Sequence, residues 1–80
     1  MLKLLRFTSS TCQPCKALAK NLDEAKLNMP VEVIDIDVHG DLVLDYGIRS
    51  VPTLILIDEF VEVKRMSGVK TPDQLREWVQ

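Results

Sequence analysis

The 80-residue chain predicts a small α/β fold in the order β-α-β-α-β-β-α. Three observations lead there. Short β-rich runs alternate with segments whose apolar residues recur at helical spacing. The first strand-helix-strand connection is long enough to demand parallel pairing with a right-handed crossover. The run Val51 to Ile57 is almost wholly apolar, as befits a central strand covered on both faces.

Taken in order, residues 2–7 form the first strand, Thr8 to Thr11 a polar turn, and Gln13 to about Asn28 a helix with Pro14 in its first turn. Met29-Pro30 breaks the chain, and Val31 to Val38 is a second strand with polar residues interleaved. Gly40-Asp41 opens a short helix, Leu42 to Tyr46, that Gly47 terminates. The central strand Val51–Ile57 follows, then a turn over Asp58 to Phe60 with no Asn-Gly or Asp-Gly signal to set its geometry. Val61 to Arg65 alternates like a half-exposed edge strand. Thr71-Pro-Asp-Gln74 is a capping box with proline at the first helical position, and Leu75, Trp78 and Val79 form the apolar stripe of a last helix.

Composition bounds the rest. Residues 1–80 make one domain with no repeats or linkers, and a hydrophobic content of 46% is enough for one core. Domains this small bury only about 60% of their unfolded surface and often need a staple. The only available bridge, between Cys12 and Cys15, closes too short a loop to constrain the unfolded state, so core packing must carry stability. A net charge of −2 with both signs interspersed leaves no footprint for nucleic acid or an anionic membrane. No apolar run is long enough to span a bilayer and no signal-peptide pattern precedes the first strand, so a cytoplasmic location is expected. In a reducing compartment a lone cysteine pair is catalytic or metal-binding more often than structural.

That pair, Cys12-Gln13-Pro14-Cys15, is the most informative feature of the chain. Two intervening residues bring the sulfurs within bonding reach across one helical turn, so the pair can cycle between dithiol and disulfide without moving the fold. Cys12 lies at the helix start, where free N–H groups and the dipole favour a thiolate; cysteines so placed have pKa values of about 3.5–7.5. Cys15, one turn in and on the face of Leu18, Ala19 and Leu22, is expected to be buried. Cys12 is thus the expected nucleophile and Cys15 the resolving thiol. A metal site is the weaker reading: one Cys-x-x-Cys supplies half a tetrahedral zinc set, and His39, read as an exposed turn residue, is the only other soft ligand. A cluster shared across a dimer is a further alternative.

A Cys-x-x-Cys after strand one, Phe7 before it, Asp37 at the end of strand two, Tyr46-Gly-Ile-Arg49, Val51-Pro-Thr-Leu54 and then Gly68 together resemble the thioredoxin family over the entire chain. The resemblance is to a minimal, glutaredoxin-sized form lacking the usual extra N-terminal strand and helix. It implies a four-stranded mixed sheet flanked by three helices, a cis Val51–Pro52 peptide against the cysteines, and a substrate groove formed by Val51, Pro52, Thr53 and Gly68. It also implies an electron-carrying role in cell redox homeostasis: a protein-disulfide oxidoreductase needing no cofactor beyond the Cys12–Cys15 pair. Such a protein acts as a monomer on disulfide-containing proteins and is recycled by a thioredoxin-reductase-type flavoprotein. The rivals are a glutaredoxin-like protein recycled by glutathione and a non-catalytic binding subunit of a larger assembly. Against the former, Val69-Lys70-Thr71 lacks the acidic pair that glutaredoxins commonly carry after the glycine.

The departures matter as much. Arg6 and Val33 stand where the family usually has a buried Asp and its Lys partner, Thr11 replaces a Trp, Gln13 a Gly, and Phe60 a small turn residue. Arg6 accepts no proton, so the usual relay to the resolving thiol is absent or rebuilt from other groups. As a cation it is expected to pair with Asp35 or Asp37 or to reach solvent, and, with Lys16 and Arg49, to add positive potential near the Cys12 thiolate.

Overall fold

A computed structural model describes residues 1–80, with the elements β1 (Leu2–Thr8), α1 (Gln13–Ala25), β2 (Val31–Asp35), α2 (Gly40–Tyr46), β3 (Thr53–Asp58), β4 (Val61–Ser67) and α3 (Pro72–Trp78). The four strands form one mixed sheet in the order β2-β1-β3-β4. β1 runs parallel to β2 and antiparallel to β3, and β3 runs antiparallel to β4.

Alternation along the two inner strands sorts side chains to two faces. On one, Leu4, Leu54 and Leu56 pack with Leu18, Leu22 and Ala25 of α1 and Leu75 of α3. On the other, Leu5, Phe7, Ile34, Ile55 and Ile57 are covered by Leu42 and Tyr46 of α2 and by Ile48 and Val51. Tyr46 meets Phe7 edge to face, with ring centroids 5.8 Å apart. Removing a leucine from such a core costs about 2–5 kcal/mol.

Element boundaries differ from the expected ones for identifiable reasons. α1 stops at Ala25 rather than Asn28, because Lys26 takes the left-handed conformation at φ +52°. β2 stops at Asp35 rather than Val38. There the Asp35 carboxylate accepts the Asp37 N–H at 2.8 Å, and its carbonyl accepts from Val38 and His39, turning the chain out of the sheet. Asp37 therefore lies in that turn and not at a strand end. α2 already begins at Gly40 and ends at Gly47, at φ +62°. β3 begins at Thr53, since Pro52 has no N–H for the ladder.

The two-residue β3–β4 turn places Glu59 at φ +58°, a left-handed conformation adopted here without glycine. β4 extends to Ser67, with a register shift opposite Leu56 and Ile57, and its pairing turns Lys64 and Met66 to the face of Leu54 and Leu56. Val61 and Val63 stay exposed at 66% and 52%, while Met66 packs against the α1–α3 core and Lys64 sits 5.3 Å over the Trp78 ring. Trp78 itself is half-buried.

Candidate functional site

The site is assembled at the C-terminal end of β1, where the polar turn leads into α1. Cys12 is the N-cap of α1, with extended backbone at φ −95° and ψ 106°. Its sulfur accepts the Cys15 N–H at 3.2 Å, one of the donors that a helix start leaves unsatisfied. Pro14 occupies the first turn, where a missing N–H costs nothing. Cys12 and Cys15 are joined as a disulfide, with Cα atoms 5.2 Å apart. Cys12 is half-buried, Cys15 is 1% exposed, and Gln13 and Pro14 face solvent.

A second segment lies before β3, whose Thr53 pairs with Phe7 near the end of β1. The Val51–Pro52 peptide is cis. Pro52 is buried, and its carbonyl accepts the Gly68 N–H at 3.1 Å, which ties the loop after β4 to this segment. Buried Thr53 donates its hydroxyl to the Ser50 carbonyl at 2.7 Å, fixing the bend. Val51 makes no backbone hydrogen bond, so its N–H and C=O are open to an extended chain. Gly68 sits at φ +87°, a conformation that side-chain-bearing residues rarely adopt. Two contributors carry no signal in the local sequence pattern. Asn21 donates its amide to the Lys70 carbonyl at 2.9 Å, anchoring the loop after Gly68 on α1, and Ser50 takes part only through its main chain. Nothing short of the folded chain places either there.

The structure redistributes the three cations expected to bear on Cys12. Arg6 is half-buried on the α1 side of the sheet and hydrogen-bonds to neither Asp35 nor Asp37. Burial pushes its pKa down, and the nearby charge of Asp23, on α1, pushes it back up. Arg6 lines a cleft of about 240 Å³ that Cys15, Lys16 and Asp35 also border, and a second of about 370 Å³ with Asp23, Lys26 and Val33; Cys12 borders neither. Arg6 correlates with Asp23 because the side chain of residue 6 points to the sheet face that α1 covers, whereas Asp37 has left the sheet. Lys16 reaches the same cleft from α1. Arg49 does not; it lines a separate groove of about 270 Å³ beside Ser50, Thr53 and Ser67.

No group of three or more His, Cys, Asp or Glu side chains is placed to hold a metal ion, and His39 is exposed at the start of α2. No helix is long and apolar enough to cross a membrane.

Comparison with known proteins follows the same lines. The family model described as Thioredoxin matches residues 1–80. The thioredoxin of Chlamydia caviae is 35% identical over 77 residues, covering 92% of this chain and 76% of that protein. The probable thioredoxin-2 of Caenorhabditis elegans is 32% identical over 82 residues, and the mitochondrial thioredoxin of Mus musculus 32% over 78. The chain covers 96% and 92% of itself in those two matches but spans only 56% and 47% of the relatives. Among solved structures, the N21Q mutant thioredoxin of Halobacterium salinarum superposes with a TM-score of 0.89 at 29% identity, over 98% of this chain and 71% of that one. A malaria-parasite thioredoxin-2, described as a component of protein secretion machinery, reaches a TM-score of 0.91 at 19% identity over 99% and 81% of the two chains, which speaks to the fold alone.

Proposed function

The chain belongs to the thioredoxin family, and on that premise we propose that it is a thiol–disulfide oxidoreductase that reduces disulfides in other proteins. The observation that carries this reading is the Cys12–Cys15 disulfide at the N-terminus of α1, and a Val51 main chain with no partner of its own supports it.

In the reduced protein, the N–H groups of the first helical turn stabilise charge on the Cys12 sulfur. The Cys12 thiolate attacks one sulfur of a substrate disulfide, forming a mixed disulfide and releasing the other sulfur as a thiolate. An extended substrate segment pairs with Val51 between the Pro52 wall and Gly68, which holds the new S–S bond over Cys15. Cys15 then attacks the Cys12 sulfur, the second substrate thiolate leaves, and the Cys12–Cys15 disulfide is formed. Two electrons pass to the substrate, and an external reductant must return them. A thioredoxin-reductase-type flavoprotein in the cytoplasm fits the family better than glutathione, because Val69-Lys70-Thr71 offers no acidic pair after Gly68.

The division of labour is tested by trapping. Cys15→Ser is expected to accumulate a mixed disulfide with a substrate protein and Cys12→Ser to accumulate none. Equal trapping by both would refute the assignment. A coupled assay with a thioredoxin reductase in one arm and glutathione in the other identifies the reductant.

A further inference from the structure

Resolution of the mixed disulfide requires Cys15 to lose its proton while buried, and burial disfavours the thiolate. Arg6, at the strand-one position nearest in chain to this task, can only donate hydrogen bonds. The cleft beside Cys15 supplies a different group. Asp35 ends β2 directly across from Thr8 of β1, on the α1-facing side, and is the only carboxylate lining the cleft. One carboxylate oxygen, Oδ1, accepts the Asp37 N–H at 2.8 Å, and the Asp35 carbonyl is held by Val38 and His39; Oδ2 has no protein partner. The side chain is thus oriented with one oxygen free. A cleft of about 240 Å³ has room for several water molecules, since each occupies roughly 30 Å³.

We propose that Asp35 is the proton acceptor for Cys15 during resolution, acting through water in this cleft. The inference rests on the thiol–disulfide reading above. The Cys15 proton passes to the Asp35 carboxylate, and the Cys15 sulfur forms its bond to Cys12. The departing substrate thiolate then takes up a proton, either that one or one from solvent. No further oxidant or reductant enters. The other charged groups at the cleft are Arg6 from β1 and Lys16 from α1. Asp23 lies beyond Arg6, Asp37 and His39 lie in the turn after β2, and β3 turns the uncharged Leu54 and Leu56 to this face.

The proposal makes a prediction of sign. A carboxylate acting only as a nearby negative charge opposes the Cys15 thiolate, so removing it would speed resolution; a carboxylate acting as a base helps, so removing it slows resolution. The probe is dithiobis(nitrobenzoate) mixed rapidly with the reduced protein, where the first aromatic thiolate released reports Cys12 and the second reports Cys15. Asp35→Asn keeps the oxygen that accepts the Asp37 N–H. It is expected to leave the first release within about twofold and to slow the second at least tenfold at neutral pH, short of the full general-base range for a relay through water. Asp35→Glu is expected to recover part of the loss, and added acetate to restore the second phase in Asp35→Asn while leaving the parent protein unchanged. An unchanged or faster second phase in Asp35→Asn, or equal slowing of both phases, would overturn the proposal. Failure of the underlying reading looks different: the second release in the parent protein would then scale with reagent concentration, because Cys15 would react with the reagent itself and not with the Cys12 mixed disulfide.

Discussion

Arg6 shows how a single substitution is absorbed by its surroundings. A half-buried Arg6 with no hydrogen-bonded carboxylate feels the Coulombic pull of Asp23, in a cleft that Leu22 and Val33 also line. Because desolvation is the larger influence on this group, its charge contributes little to stability. Arg6→Met is therefore expected to leave thermal stability unchanged or to raise it by up to about 1 kcal/mol. Arg6→Asp, which sets a second carboxylate beside Asp23, is expected to destabilise by more than about 1 kcal/mol. Thermal unfolding of the two variants checks both, and a strongly destabilised Arg6→Met would mean that the Asp23 interaction dominates. Phe60, 99% exposed in the hairpin turn, touches nothing that Phe60→Ser would lose, so that change is expected to stay within about 0.5 kcal/mol in the same measurement.

At the scale of elements, helix ends and strand ends hold the site in place. The Thr71 hydroxyl accepts the Gln74 N–H at 3.1 Å and the Gln74 side chain accepts the Thr71 N–H at 2.9 Å, closing the capping box of α3 just after the Gly68 loop. Thr71→Ala is expected to cost about 1 kcal/mol in chemical denaturation. On β4, Arg65 holds the Glu62 carboxylate in a two-pronged contact that keeps the Glu62 carboxyl below its ordinary value. A depressed carboxyl contributes stability above its unfolded value and loses it as pH falls through the folded one. The pair is largely exposed, so Glu62→Gln is expected to cost only a few tenths of a kcal/mol, up to about 1, at neutral pH. That difference should vanish in acid, once the Glu62 carboxyl is protonated in the folded protein, in parallel denaturation curves.

Across the whole molecule, β1 and β3 lie inside the sheet with partners on both sides, while β2 and β4 each leave one edge open. Native-state hydrogen exchange is expected to be slowest in Leu4, Phe7 and Leu54 to Ile57 and fastest along the free edge of β4. Uniform protection across all four strands would argue against this ranking.

The order of elements, the parallel β1–β2 pairing, the central β3 and both α3 cap residues are legible in the chain because each rests on local chemistry: alternation, a proline or glycine at a fixed offset, a hydroxyl three residues before a glutamine. The same holds for Cys12 and Cys15, whose spacing within one helical turn needs no tertiary information. The remaining features depend on contacts between residues distant in sequence. The early end of β2 follows from how Asp35 turns the chain, and the inward facing of Lys64 and Met66 in place of Val61 and Val63 from how β4 pairs with β3. The approach of Asn21 to Lys70 and of Pro52 to Gly68 depends on how α1 and β4 pack. Arg6 and Asp35 are the clearest case. Composition and pattern identify a cation on β1 and an acid on β2, but only parallel pairing with Thr8 opposite Asp35, under a helix that buries Cys15, brings both into the cleft of the resolving cysteine. Local sequence sets the conformations open to each segment, whereas the neighbours of a side chain are chosen by the packing of all the segments at once.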